Sequence, residues 1–158
     1  MRRSGAVLTV ALLHVLAAEP SCPTELFRIE RSTNANVVLY ERSSDERAPV
    51  VANWLLLARN GGREPLTLFE RAFAYGFELE RRGSSFELKL KAFRERVIQL
   101  VDRAGCLVAT SVIDGRAAVL RRIFVKASGG LAPKVESVDL FGVDAETGEE
   151  RSERLVRR

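Results

Sequence analysis

Residues 85–93 read SFELKLKAF. Phe86, Leu88, Leu90 and Ala92 alternate with Glu87, Lys89 and Lys91. Successive side chains of a strand point to opposite faces, so the stretch reads as a strand with an inward apolar face and an outward charged one. The pattern continues on both sides. Upstream, GFELERR puts Phe77 and Leu79 on one face, and Gly83 and Ser84 supply the turn. Downstream, VIQLVD is a further strand, broken at residues 103–105. CLVATSVI runs into Asp114 and Gly115, a type I′ hairpin signal, and RAAVLRRIFVKA returns. Its alternation falters at Arg121 and Arg122, as at a bulge. After the loop SGGLAPK, VESVDLFGV and a short strand near residues 150–156 close the chain across the AETGE turn.

The first half is less regular. LFRIER places Phe27 and Ile29 opposite Arg28 and Glu30, which makes a first strand. STNAN interrupts it with turn formers, and NVVLYER follows with Val38 and Tyr40 on one face. A hairpin is the obvious connection, although five turn-prone residues exceed a minimal two-residue turn. SSDERAP reads as a solvated loop. VVANWLLLAR is apolar on both faces except at Asn53, as in a central or covered strand. NGGREP reads as a turn. PLTLFERAF is the one convincing helical segment: Thr67 and Glu70 have capping-box spacing, and Gly76 suits the helix end. The sum is nine or ten strands and one short helix. The fold class is all-β, mainly an antiparallel meander, as a small barrel or a two-layer sandwich. Period-2 patterning does not choose between these two.

The chain opens MRRSGAVLTVALLHVLAAEP. Two arginines, an apolar run over residues 6–18 and small residues near its end have the order of a secretory signal peptide. The run is short of the roughly 20 apolar residues that span a bilayer. The expected organisation is a signal peptide over 1–18, an N-terminal arm over 19–25 and one β-rich domain over 26–158. Cleavage after Ala17 and after Ala18 fit equally. The competing readings are a buried N-terminal element of the domain or an uncleaved anchor. Export predicts a secreted or periplasmic product without a transmembrane segment.

Removing that segment takes away His14, the only histidine of the 158 residues. Imidazole metal ligation and serine–histidine or cysteine–histidine catalysis go with it. The 25 lysines and arginines fall to 23 against 21 aspartates and glutamates, a balance of +2. Basic and acidic residues alternate without a basic stripe, so no nucleic-acid partner is expected. No cofactor or metal is expected either. DAETGEE lacks the order of an EF-hand loop, and RNGG lacks the spacing and lysine of a phosphate loop. Cys22 and Cys106 form a candidate disulfide in an oxidising compartment. The other reading is a buried apolar Cys106 and a free thiol at Cys22. The pair has no CxxC spacing, which disfavours redox or thiolate-metal chemistry.

Four stretches, FRIERSTNANVVLYE, ANWLLLARNGGREPLTLFERAFAYGFE, FELKLKAF and PKVESVDLFGVDAETGE, together resemble a bacterial family known as a domain of unknown function, DUF4833. The resemblance covers nearly all of the chain after residues 1–18, with FRIERS and ERAFAYGF the most specific parts. It implies an extent but no activity, and it carries over no catalytic residue.

Polar residues cluster in those specific stretches. The candidate site comprises Glu30, Arg31, Asn34, Asn53, Glu70, Arg71 and Tyr75, with Arg28, Ser32 and Asn36 beside them. In a catalytic reading, Glu30 and Glu70 act as acid and base while Arg31 or Arg71 grips an anionic group. In the favoured structural reading, arginine–carboxylate contacts clamp the helix to the first strands. A third reading is recognition without chemistry. Asn34 and Asn36 suit turn-shaping backbone contacts, and Trp54 suits core packing. The expected function is a non-catalytic binding or interaction domain, with a small molecule or an envelope protein as partner. The alternatives are a carboxylate-dependent hydrolase of an envelope carbohydrate or peptide, and a structural envelope protein.

Overall fold

Eleven strands and one α-helix form in a computed structural model that describes residues 21–129 and 134–156. Residues 1–18, on which the export expectation rests, lie outside the described residues. The strands are β1 (Glu25–Arg31), β2 (Asn34–Arg42), β3 (Val50–Leu56), β4 (Gly62–Pro65), β5 (Phe77–Arg82), β6 (Ser85–Leu90), β7 (Phe93–Arg103), β8 (Cys106–Ile113), β9 (Arg116–Ala127), β10 (Val135–Asp144) and β11 (Glu150–Val156). The helix, α1 (Leu68–Phe73), lies between β4 and β5. The fold class is all-β, as expected.

The sheet runs β4-β3-β2-β1-β9-β8-β7-β6-β5, and the β10–β11 hairpin branches from β9. Every pairing is antiparallel except β1 with β9, which is parallel and makes the sheet mixed rather than a pure meander. β9 is where the sheet forks. Arg116 to Val119 pair with β8, Arg122 to Val125 pair with β1, and β10 covers the opposite edge. Between the two segments, Leu120 pairs with Gly142 and Arg122 with Phe141, so Arg121 is the extra residue of a bulge. A bulge shifts the two-residue period by one. Accordingly the buried set changes from Ala118 and Leu120 to Ile123 and Ala127.

The two wings curl toward each other as a half-barrel, with the core between them. β2 and β5 lie far apart in sheet order, yet the Tyr40 and Phe77 rings meet at 6.0 Å. Phe27 stacks on Tyr40 at 4.3 Å. Leu88 and Leu90 are buried as their alternation requires, each side chain contributing about 1.5–3 kcal/mol. Ala92 departs from it. The chain turns at Lys91 and Ala92, leaving Ala92 exposed, and Phe93 takes the inward position as β7 begins.

Four other local expectations change. The β1–β2 connection is a two-residue turn at Ser32 and Thr33, because Asn34 already pairs with Arg31. Part of NGGREP is strand: Asn60 and Gly61 turn with positive φ, and β4 pairs with β3 from Gly62 to Pro65. Proline is tolerated there because β4 is an edge strand. Residues 57–59 leave the expected strand as a 3-10 turn. Glu25, placed in the arm by the sequence, is the first residue of β1. Ahead of it a disulfide joins Cys22 to Cys106, with Cα atoms 5.3 Å apart, and ties the chain before β1 to the start of β8.

Candidate functional site

The helix is short and must be held from outside. Thr67 caps it: its hydroxyl accepts from the Glu70 N–H at 3.3 Å, and Glu70 Oε2 accepts from the Thr67 N–H at 2.8 Å. The other carboxylate oxygen, Oε1, accepts from the Trp54 indole N–H at 3.0 Å. Partial burial opposes the charge on Glu70, but hydrogen bonds from the Thr67 backbone, the Thr67 hydroxyl and Trp54 outweigh it and hold the carboxyl below its ordinary range. A general acid at neutral pH needs the opposite shift.

Just past α1, Gly76 passes so close to the helix that a Cβ there would lie 1.7 Å from the Arg71 carbonyl oxygen, so only glycine fits. This tight exit brings Tyr75 back over the core. Its carbonyl accepts from the buried Tyr40 hydroxyl at 2.6 Å, and its own hydroxyl accepts from Arg31 Nη1 at 3.2 Å. Its ring meets Trp54 edge-on, with centroids 5.1 Å apart. Arg31, Tyr75, Trp54, Glu70 and Thr67 thus form one continuous chain of contacts from the end of β1 to the helix cap.

The remaining candidates lie elsewhere. Glu30 follows strand alternation to the face opposite Arg31. Its Oε2 accepts from Arg122 Nη1 at 3.1 Å, and Arg122 also sits 4.1 Å above the Phe141 ring. Arg71 Nε donates to the Leu66 carbonyl at 3.0 Å. Asn53 Nδ2 reaches the buried Glu41 at 3.5 Å, and Arg63 grips the same carboxylate at 2.9 Å. Asn53, Arg71, Tyr75 and Lys91 border a cavity of about 390 Å³. Asn34 Oδ1 accepts from the Asn36 N–H at 2.9 Å and shapes the start of β2. The structure therefore unites Arg31, Glu70 and Tyr75 in one chain, and Arg71 and Asn53 beside Tyr75 at a neighbouring cavity. It does not unite Glu30 with Glu70.

A smaller cavity of about 210 Å³ lies where α1 meets β1, β6, β7, β9 and β10. Ile29, Phe73, Leu90, Phe93, Val125 and Val135 supply apolar wall, and Arg31 and Tyr75 supply the polar part. Arg31 Nε is buried without a hydrogen-bond partner among the described residues. The apolar lining is absent from the sequence candidates, because residues far apart in the chain meet there only through the curl. The pairing of Phe73 with Tyr75 at the helix exit is its one local signal. Among the described residues, no group of histidine, cysteine, aspartate or glutamate side chains is placed to hold a metal ion, and no helix is long and apolar enough to cross a membrane.

Fold and site together define an all-β domain: a half-barrel sheet with one capped helix fastened to it through Trp54 and Tyr75. The family model described as Domain of unknown function (DUF4833) matches residues 27–154, and the chain belongs to that family. The match takes in both Arg31 and Tyr75. No curated protein and no solved structure matches the chain.

Proposed function

We propose that this chain is an exported, non-catalytic binding domain, and that its ligand seat is the apolar cavity beside α1. The carrying observation is the lining of that cavity. It combines an apolar wall with a guanidinium and a phenol, and it includes neither Glu30 nor Glu70. Small-molecule sites are of this kind, mostly apolar with a few placed polar groups. The hydrolase alternative needs two carboxylates flanking one bond. Here Glu30 is engaged by Arg122, and Glu70 by Thr67 and Trp54. Export is supported by the composition of residues 1–18 and by the Cys22–Cys106 bridge, which suits an oxidising compartment.

The test is mass spectrometry of protein exported by a suitable host. Intact mass is expected to show loss of about 17–18 residues, the length of a signal peptide. Untargeted small-molecule analysis of the purified product is expected to find one recurrent retained species without turnover. Hydrolysis of an envelope extract that disappears in Glu30→Gln or Glu70→Gln would overturn the non-catalytic reading. A cytosolic product that keeps residues 4–18 would overturn export.

A further inference from the structure

We propose that the cavity beside α1 binds a small monocarboxylate with a short apolar chain, its carboxylate held by Arg31 and Tyr75. This rests on the cavity being a binding seat and adds the chemical class of the ligand.

The first argument is charge. The guanidinium side chains of Arg28, Arg63, Arg96, Arg122, Arg151 and Arg154 each have a carboxylate partner. Arg31 has none among the described residues, although it is partly buried. Among the described residues its hydrogen bond runs from Nη1 to the Tyr75 hydroxyl, and Nε, closed to solvent, has no partner, so it is the terminal nitrogens that face the cavity's polar corner. A cation withdrawn from water without a counter-charge is costly. An anion in the cavity removes that cost. The guanidinium keeps N–H donors beyond the one used on Tyr75. The Tyr75 hydroxyl accepts from Arg31, so its own proton is free to point at the same anion. Two donors then converge on one carboxylate.

The second argument is what surrounds this polar corner. Phe73, Leu90, Phe93, Val125 and Val135 offer no hydrogen bond to a side group of the ligand. A sugar or a second charged group would be left unpaired there, and an amine would face Arg31. An alkyl chain fits. The volume of about 210 Å³ equals roughly seven water volumes of about 30 Å³ each. That is a carboxylate carrying about four to six carbons. Phe73 is 70% exposed and also lines the cavity, so it is a wall shared with solvent.

The experiment is isothermal titration calorimetry of the purified, disulfide-bonded protein with hexanoate, hexan-1-ol, hexylamine and inorganic phosphate. Hexanoate is expected to bind about tenfold or more tightly than hexan-1-ol, the worth of a charge-assisted hydrogen bond. Hexylamine and phosphate are expected not to bind. Arg31→Gln should erase the preference for hexanoate, bringing its affinity down to that of hexan-1-ol. Tyr75→Phe, which keeps the ring against Trp54, should weaken hexanoate more than hexan-1-ol and so gives a second reading if the arginine variant folds poorly. Equal binding of hexanoate and hexan-1-ol overturns the ligand class while leaving the cavity as a seat. No binding of any probe, with a different retained molecule found by mass spectrometry, overturns the ligand class and keeps the binding domain. No binding of any probe and no retained molecule overturns both.

Discussion

Trp54 on β3 donates its indole N–H to Glu70 on α1, so the carboxylate that closes the helix cap also fastens the helix to the sheet. With six residues, none of them buried, α1 cannot persist on its own in water. Its order comes from this contact, the Thr67 box and the Tyr75 anchor behind it. Glu70→Gln is expected to lower stability by about 1–2 kcal/mol through weakened capping and a lost charge-assisted bond. Trp54→Phe, which preserves a ring beside Tyr75, is expected to cost less. Urea denaturation of the two variants beside the parent measures this. An unchanged midpoint for Glu70→Gln would mean that the cap is not what holds α1.

Acid should act mainly at the β10–β11 hairpin. Asp144 accepts from the N–H groups of Thr147 and Glu146 at 3.0 and 2.9 Å and from Arg151 Nε at 2.7 Å. These bonds hold its carboxyl far below the usual range. The Arg154 guanidinium, bonded to both oxygens of Asp139, lowers that carboxyl as well. Glu70 is lowered too. A depressed folded-state pKa gives stability that is complete above the unfolded value and lost as pH falls through the folded one. The melting temperature should therefore hold from neutral pH to about 5 and fall below about 4, where unfolded carboxyls begin to protonate. Asp144→Asn should start lower and show a shallower acid limb. At the other end, burial, then the neighbouring Tyr75, pushes the Tyr40 hydroxyl up, so its contribution is complete below about pH 10 and declines above it. A melting series from pH 2 to 11 checks both windows, and an acid limb as steep in Asp144→Asn as in the parent would remove Asp144 from this account.

Much of this fold is local and therefore legible. Alternation in SFELKLKAF puts Leu88 and Leu90 in the core, and Thr67 with Glu70 announces the cap. The faltering at Arg121 and Arg122 marks the bulge. What alternation cannot report is the partner of a strand. The parallel pairing of β1 with β9 joins Arg28 to Arg122, a contact between distant segments with no local signature. β4 is hidden because Asn60, Gly61 and Pro65 read as breakers, although an edge strand tolerates them. In the candidate site, alternation already separates Glu30 from Arg31. The donation from Trp54 to Glu70 and the cavity above Leu90 depend on how three elements pack, and no spacing in the chain encodes them.

The disulfide offers a separate handle on stability. Cys22 and Cys106 are 84 positions apart, so the bridge closes most of the strand-forming chain into one loop. Constraining so long a loop in the unfolded state is worth about 2–5 kcal/mol on the chain-entropy account. Reduction, or the double substitution of Cys22 and Cys106 by serine, should lower the unfolding free energy by that amount, read as a lower urea midpoint. Far-ultraviolet circular dichroism should stay strand-dominated, because the core residues lie in the sheet and not at the bridge. Loss of all strand signal on reduction would show that the arm is part of the core.

The fork itself is testable at Gly142. It faces the bulge, and a Cβ there would meet the Val119 carbonyl oxygen at 2.6 Å and Ile113 Cδ1 at 2.8 Å. The side chain of Ile113 has some freedom to move, but the carbonyl of Val119 belongs to the β9 backbone. Gly142→Ala must therefore push β10 away from β9 at the point where β9 changes partner from β8 to β1. The expected cost is about 1–3 kcal/mol, in the range of overpacked sites. Gly148→Ala is the informative comparison. Gly148 has open space around it but a φ of +75° in the β10–β11 turn. Its substitution should cost about 1 kcal/mol through backbone strain alone. Amide hydrogen exchange distinguishes the two. Gly142→Ala should speed exchange along both β9 and β10, whereas Gly148→Ala should affect only the turn. Equal, local effects from both variants would mean that β9 and β10 separate there without strain, and that the fork does not depend on close approach at Gly142.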